Sequence, residues 1–266
     1  MKQFKRDLTQ DSSKLHLDKY YTSEEVVNHC IWTTRNILKD DKITEIIEPS
    51  AGNGAFSKKI KECTAYDLEP EDESIIKQDF LLLDIPYKMG RLFIGNPPFG
   101  ARNSLAVQFF KKCIELGDYI AFILPISQLN NTQQMYEFDL IYSEDLGNKQ
   151  YTDREIHCCF NIYKRPIGGT NKKQKFELHG IKIIESRLGK NRPDKYDYAI
   201  CAWGASIGKD IGDNHFAKEF YFIFDSDLKD TVINKLQNVD WCEEYNMTST
   251  PNLLQWQVIK YLSKTQ

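Results

Sequence analysis

Asn96-Pro97-Pro98-Phe99 follows the apolar run Arg91–Gly95. Each proline fixes φ and carries no N–H, so this turn has lost two backbone donors. What it offers instead is acceptors: the Asn96 side-chain oxygen and the Pro97 carbonyl. Phe99 adds an aromatic face. An aromatic amine is a poor nucleophile because its lone pair is spread into the ring. Two acceptors on its two hydrogens favour a pyramidal nitrogen and aim the lone pair at an electrophile. That is catalysis by positioning and electrostatics, with no strong base required.

Three acids precede this turn, each after a short strand-like run. Glu48 opens Glu48-Pro49-Ser50-Ala51-Gly52-Asn53-Gly54. Glycines there let the backbone turn sharply and approach a ligand closely. A dinucleotide fingerprint would need glycine at position 57, where Ser57 stands, so pyrophosphate is disfavoured. An acid at the strand end suits the cationic end of a ligand better. Asp67 stands nineteen residues after Glu48, where an acid commonly holds ribose hydroxyls; Glu69 is the alternative. Asp79-Phe80 supplies a carboxylate for an adenine amine and a ring to stack on the base. Together these acids describe an adenosine site. His157 lies in the alternating run Glu155–Tyr163, which reads as a strand rather than as a metal or acid–base site.

The elements that position these residues alternate. Thr22 and Glu25 have capping-box spacing, and Val26, Val27, Cys30, Ile31, Ile37 and Leu38 form one helical face. Ile43–Ile47 reads as a strand and Ala55–Lys61 as a helix. Cys63–Tyr66, Ile75-Ile76 and Arg91–Gly95 read as strands. Leu105, Ala106, Phe109, Phe110, Cys113 and Ile114 mark a helix, and Tyr119–Leu124 a further strand. This order predicts an α/β fold with a Rossmann-like doubly wound sheet. Ligands of such sheets sit outside the carboxyl ends of the strands, where Glu48, Asp67, Asp79 and Asn96 fall. Beyond residue 165, strands are expected at Ile181–Ile184, Tyr198–Trp203 and Tyr221–Phe224, and a helix at Asn252–Leu262 with Leu253, Leu254, Gln257, Val258 and Leu262 on its apolar side.

The 266 residues carry a net charge of −3, unevenly spread. Residues 161–195 hold +7 and the remainder −10. That stretch, with Lys164, Arg165, Lys172, Lys173, Arg187, Lys190 and Arg192, is compatible with tracking a phosphate backbone, and Lys209 ends a glycine-flanked loop that could approach one. The seven cysteines show no zinc spacing, so no metal is expected, and they read as buried reduced thiols. No secretory signal or membrane span is legible, and a cytoplasmic protein is expected.

The order Tyr20-Tyr21-Thr22, Glu48 to Gly54, Asp67, Asp79-Phe80, Asn96-Pro97-Pro98-Phe99 resembles the adenine-N6 DNA methyltransferases of gamma-type motif order. The resemblance covers residues 19–165 well and the rest loosely. It implies a class I methyltransferase fold and S-adenosylmethionine bound by Tyr21, Thr22, Glu48, Pro49, Ser50, Ala51, Gly52, Asn53, Gly54, Asp67, Asp79, Phe80 and Asn96. It also implies catalysis at Asn96, Pro97, Pro98 and Phe99 on a flipped adenine in DNA, in a restriction–modification, orphan or phage setting. The expected organisation is a lead-in at 1–19, a catalytic domain at 20–165, a small β-rich recognition module at 166–225 and a closing segment at 226–266. The rival substrates are adenine in RNA and a protein glutamine amide. Cytosine N4 usually goes with serine at the Asn96 position, and a binding module with a vestigial pocket sits poorly with intact motifs.

Overall fold

A computed structural model describes residues 22–151, 154–225, 227–245, 247 and 251–264. The chain forms two compact units, residues 1–173 and 174–266. Among the described residues no helix is long and apolar enough to cross a membrane.

The first unit is built on a seven-stranded sheet. Its strands are β1 (Glu45–Glu48), β2 (Cys63–Asp67), β3 (Ile76–Lys77), β4 (Arg91–Gly95), β5 (Tyr119–Pro125), β6 (Asp139–Tyr151) and β7 (Arg154–Lys164). Their order is β3-β2-β1-β4-β5-β7-β6. The first five are parallel, whereas β7 runs antiparallel to both β5 and β6. This is the expected doubly wound, Rossmann-like sheet. After β1 the chain moves outward to β2 and β3, then returns to lay β4 on the other flank of β1. The crevice between β1 and β4 is therefore the topological switch point, where such sheets bind ligands.

Two cores cover the two faces. Leu92, Ile94, Ala121, Ile123, Phe160 and Ile162 pack with Val26, Val27, Cys30 and Ile31 of helix α1 (Glu24–Ile37). Phe93, Ile120, Phe122 and Leu124 pack with Ala106, Phe109, Phe110 and Cys113 of helix α2 (Ser104–Leu116). Alternate residues of one strand thus serve opposite helices, as a pleated strand requires. Even the adjacent Cys158 and Cys159 part company, one in each core.

Two expectations change, and one strand was not anticipated. The cap of α1 is Ser23, whose hydroxyl accepts from the Val26 N–H, so Thr22 is not the capping residue. Ala55–Lys61 is no α-helix: only Ser57–Lys59 forms a single 3-10 turn. Gly54 (φ +78°) and Glu62 (φ +61°) bound the segment with left-handed residues, which leaves too little chain for a stable α-helix. The unanticipated strand is β6, whose apolar run stops at Leu140-Ile141-Tyr142; it is an edge strand whose two register shifts break the period of two.

In the second unit, β8 (Ile181–Arg187), β10 (Lys218–Phe224) and β9 (Tyr198–Cys201) form an antiparallel sheet in that spatial order. Helices α3 (Lys229–Asn238), α4 (Trp241–Glu244) and α5 (Gln255–Ser263) share one core with it, through Ile200, Phe220 and Phe222 against Val232, Leu236, Trp241 and Val258. Lys218 is buried and donates to the Asn252 side chain at 2.8 Å, tying the chain before α5 to the sheet.

Candidate functional site

The loop after β1 is tied down by two carboxylates. Glu48, 2% exposed, accepts from the Phe56 N–H at 3.2 Å and the Ser57 N–H at 2.7 Å. Burial pushes its pKa up to about 7, and the two N–H groups pull against that rise. Asp67 accepts from the Gly52 N–H and the Glu69 N–H, both at 2.8 Å. Gly52 has φ +54°, a left-handed conformation that suits glycine, and a Cβ added there would meet nothing within 4 Å. The loop is thus bent over the strand ends with an open face at Gly52.

The turn after β4 lies against this loop. The Ser50 hydroxyl donates to the Asn96 carbonyl at 3.4 Å, joining residues 46 positions apart. Asn96 Nδ2 donates to Thr22 Oγ1 at 3.2 Å, which makes its Oδ1 the acceptor end. Pro97 is buried and Pro98 half-buried. The Phe99 carbonyl accepts from the N–H groups of Leu105 and Ala106, fixing the turn to the start of α2. Gly100 has φ +68°, and a Cβ there would come within 2.8 Å of Leu105 Cβ. Thr22, Val27, Asn53, Gly54, Ala55 and Lys59 line an open cleft of about 210 Å3 beside these groups.

Most of the expected residues therefore converge on the switch point: Thr22, the segment from Glu48 to Gly54, Asp67 through its bond to Gly52, and Asn96. Asp79 sits at the end of the neighbouring strand region, its carboxylate accepting from the Leu81 N–H at 2.9 Å. Tyr21 lies outside the described residues. Two aromatic residues differ from expectation. Phe80 is 2% exposed, stacked on Phe109 at 5.6 Å and edge-on to Phe93 at 5.7 Å, so its faces serve the core. Phe99 is 6% exposed and packs in the core with Val26 and Val27 of α1. Glu48 likewise is a buried loop-holder with both oxygens engaged, not an acid facing the cleft.

The basic candidates also divide. Lys164 pairs with Asp41 at 2.6 Å. Arg165 pairs with Asp118 at 2.8 Å, donates to the carbonyls of Ile114 and Gly117, and lies over the Phe138 ring. Arg192 holds the fully buried Glu219 with two bonds of 3.0 and 3.1 Å. Arg187 pairs with Glu185. These four pair with acids of the chain itself, which in three cases lie outside the basic stretch, and Arg187 does so at the surface. Lys172, Lys173, Lys190 and Lys209 are exposed. Sequence reasoning missed Lys58 and Lys59, which follow the loop and pair with Asp72 at 2.6 Å and Glu24 at 2.5 Å. Their position just after the glycine loop was the available signal, masked by the expectation of a helix.

No model of a protein family matches the chain, and neither does any curated protein. Solved structures with partial likeness include a Pyrococcus horikoshii protein assigned as an RNA methyltransferase (15% identity, 57% of this chain, 88% of that one, TM-score 0.46). A 23S rRNA methyltransferase, ErmE, is 12% identical over 57% of this chain and 71% of its own, with TM-score 0.40. A Synechocystis magnesium protoporphyrin IX methyltransferase with bound S-adenosylmethionine is 9% identical over 54% of this chain and 79% of its own, with TM-score 0.39. At these scores the likeness carries no argument about chemistry. The fold rests on the strand order itself.

Proposed function

We propose that the chain is an S-adenosylmethionine-dependent methyltransferase acting on N6 of adenine in DNA. The observation that carries the reading is the meeting, at the β1/β4 switch point, of an acid-held glycine loop and an Asn-Pro-Pro turn whose amide oxygen is the acceptor end.

The residues fit the cofactor. A carboxylate has about four acceptor positions, and Asp67 spends two on Gly52 and Glu69, leaving capacity for a ribose diol. Asp79 keeps acceptor capacity for an adenine amine, and the open face at Gly52 admits a ligand against backbone. Thr22, Asn53, Gly54 and Ala55 wall the cleft. S-adenosylmethionine supplies a methyl group made electrophilic by its sulfonium.

The chain's own part is to prepare the amine. Asn96 Oδ1 and the Pro97 carbonyl accept its two hydrogens, withdrawing the lone pair from the ring and directing it. They also stabilise the positive charge that builds on nitrogen as the N–C bond forms, the C–S bond breaks and a neutral thioether leaves, after which the extra proton passes to solvent water. Phe99 anchors the turn to α1 in this reading, and base stacking is not its role. In a duplex the adenine must leave the stack, at a cost of a few kcal/mol. The exposed Lys172, Lys173, Lys190 and Lys209 supply attraction for the phosphate backbone.

The test offers labelled S-adenosylmethionine with duplex DNA, RNA and protein extract separately. Label recovered as N6-methyladenine from the DNA digest is expected. Label confined to RNA would move the substrate to RNA adenine, and label confined to protein would move it to a glutamine amide.

A further inference from the structure

We infer that Lys59 and Glu24 hold the amino-acid end of S-adenosylmethionine, Lys59 taking its carboxylate and Glu24 its ammonium, an inference that rests on the cofactor proposed above. The open cleft beside the glycine loop is lined by Thr22, Glu24, Asn53, Gly54, Lys58 and Lys59. Asp67 and Asp79, given to the ribose and the adenine in that reading, do not line it. The part of the cofactor left for the cleft is therefore its amino-acid chain. That end is a zwitterion, with a carboxylate and an ammonium on one carbon. Covering it calls for a partner of each sign.

Glu48, the acid first expected at the cationic end, is buried and turned to the N–H groups of Phe56 and Ser57. Among the described residues Glu24 is the one acid that lines the cleft. Of the two lysines there, Lys58 pairs at 2.6 Å with Asp72, which lies outside the cleft. Lys59 pairs with Glu24 at 2.5 Å, so both ends of this bridge line the cleft. The two come from different elements: Glu24 opens α1, and Lys59 closes the 3-10 turn that follows the glycine loop. The hydrogen bond from Lys59 holds the Glu24 carboxyl below its ordinary range, so the pair is charged at neutral pH. The Glu24 side chain is 76% exposed, and water screens the bridge, which opens at little cost. Once open it presents a cation and an anion side by side, the complement of a zwitterion, and one ion pair is exchanged for two. The demethylated product, S-adenosylhomocysteine, keeps the same zwitterion. These contacts are thus equal before and during transfer, and they set affinity rather than turnover.

The test measures calorimetric affinities of the wild type, Lys59→Met and Glu24→Gln for three ligands. These are S-adenosylhomocysteine, its analogue without the carboxylate and its analogue without the amine. Lys59→Met should weaken S-adenosylhomocysteine and the amine-free analogue about fivefold, and bind the carboxylate-free analogue no more weakly than wild type. Glu24→Gln should show the reverse pattern, weakening S-adenosylhomocysteine and the carboxylate-free analogue and sparing the amine-free one. The cofactor KM should rise by about the same factor in both variants, with kcat within about twofold of wild type. An equal loss on all three ligands in either variant would mean that the bridge only braces the loop, and would overturn the inference. So would undiminished binding of S-adenosylhomocysteine in both. A wild-type protein that binds none of the three would instead sink the cofactor reading beneath it, a failure visible before any variant is made.

Discussion

After β1 the chain is held by carboxylates: Glu48 takes the N–H groups of Phe56 and Ser57, and Asp67 takes that of Gly52. After β4, a few ångströms away at the Ser50–Asn96 contact, it is held by two proline rings, a buried Phe99 and one neutral hydrogen bond to Thr22. The Glu48 clamp of the loop depends on a proton, whereas the proline rings of the turn do not titrate. A site can thus combine a glycine-rich segment supple enough to admit a ligand with a turn whose acceptors stay fixed over a range of pH. Rigidity in the second comes from covalent restriction, which nothing in solution can titrate away.

The largest expected effect belongs to the turn. Asn96→Ala should lower kcat by about 10²–10³-fold, the scale seen when one preorganised polar group is removed, while S-adenosylmethionine affinity stays within about twofold. Near-normal turnover in that variant would end the idea that the turn grips the amine. Next comes Glu48→Gln. Between about pH 4.5 and about 7 the folded protein keeps a Glu48 proton that the unfolded chain has released, because burial has raised the folded pKa. Stability from this group therefore falls as pH rises through that window and is flat outside it, by about 3 kcal/mol in total. Denaturant midpoints measured across the window should lose this slope in Glu48→Gln, and a slope equal to wild type would show that another group produces it. The smallest effect is Pro98→Ala, which should cost about 1 kcal/mol or less by loosening the unfolded chain. Its loss should be the same at every pH, so a pH-dependent loss would mean that the acids govern the turn as well and would erase the contrast.

The buried parallel strands were legible because both of their faces are apolar: β4 and β5 read as continuous runs, and the residues just past the end of such a run had to lie at the ligand edge. Glu48, Asp67 and Asn96 were assigned to that edge in the same way, and the structure sets them at the carboxyl ends of β1, β2 and β4. Their partners were not legible. Nothing in the order of residues says that Glu48 bonds to Phe56 and Ser57, which converts a supposed ligand contact into a loop clamp. The fates of Phe80 and Phe99 were hidden for a related reason, since an aromatic ring in a motif reads alike whether its faces meet a ligand or a core. Part of the charge of residues 161–195 is met within the fold, because Lys164 meets Asp41 across 123 positions and Arg192 meets Glu219 on β10. Charge counted along a chain knows nothing of tertiary pairing. The helix α3 was missed because a polar stretch that buries Val232 and Leu236, with Ile233 partly covered, shows little periodicity.

On the ribosome, β1 emerges long before its second neighbour. It can pair with β2 soon after synthesis, but its other flank stays bare until Arg91–Gly95 arrives and registers Ile46 against Leu92. Closing that interval costs chain entropy that only the finished sheet repays. Until then the contact of Ser50 with Asn96, which joins the loop to the turn, has no second partner. In the proposed reading, a nascent chain halted before residue 91 therefore lacks the amine-gripping turn, whatever its glycine loop has already formed.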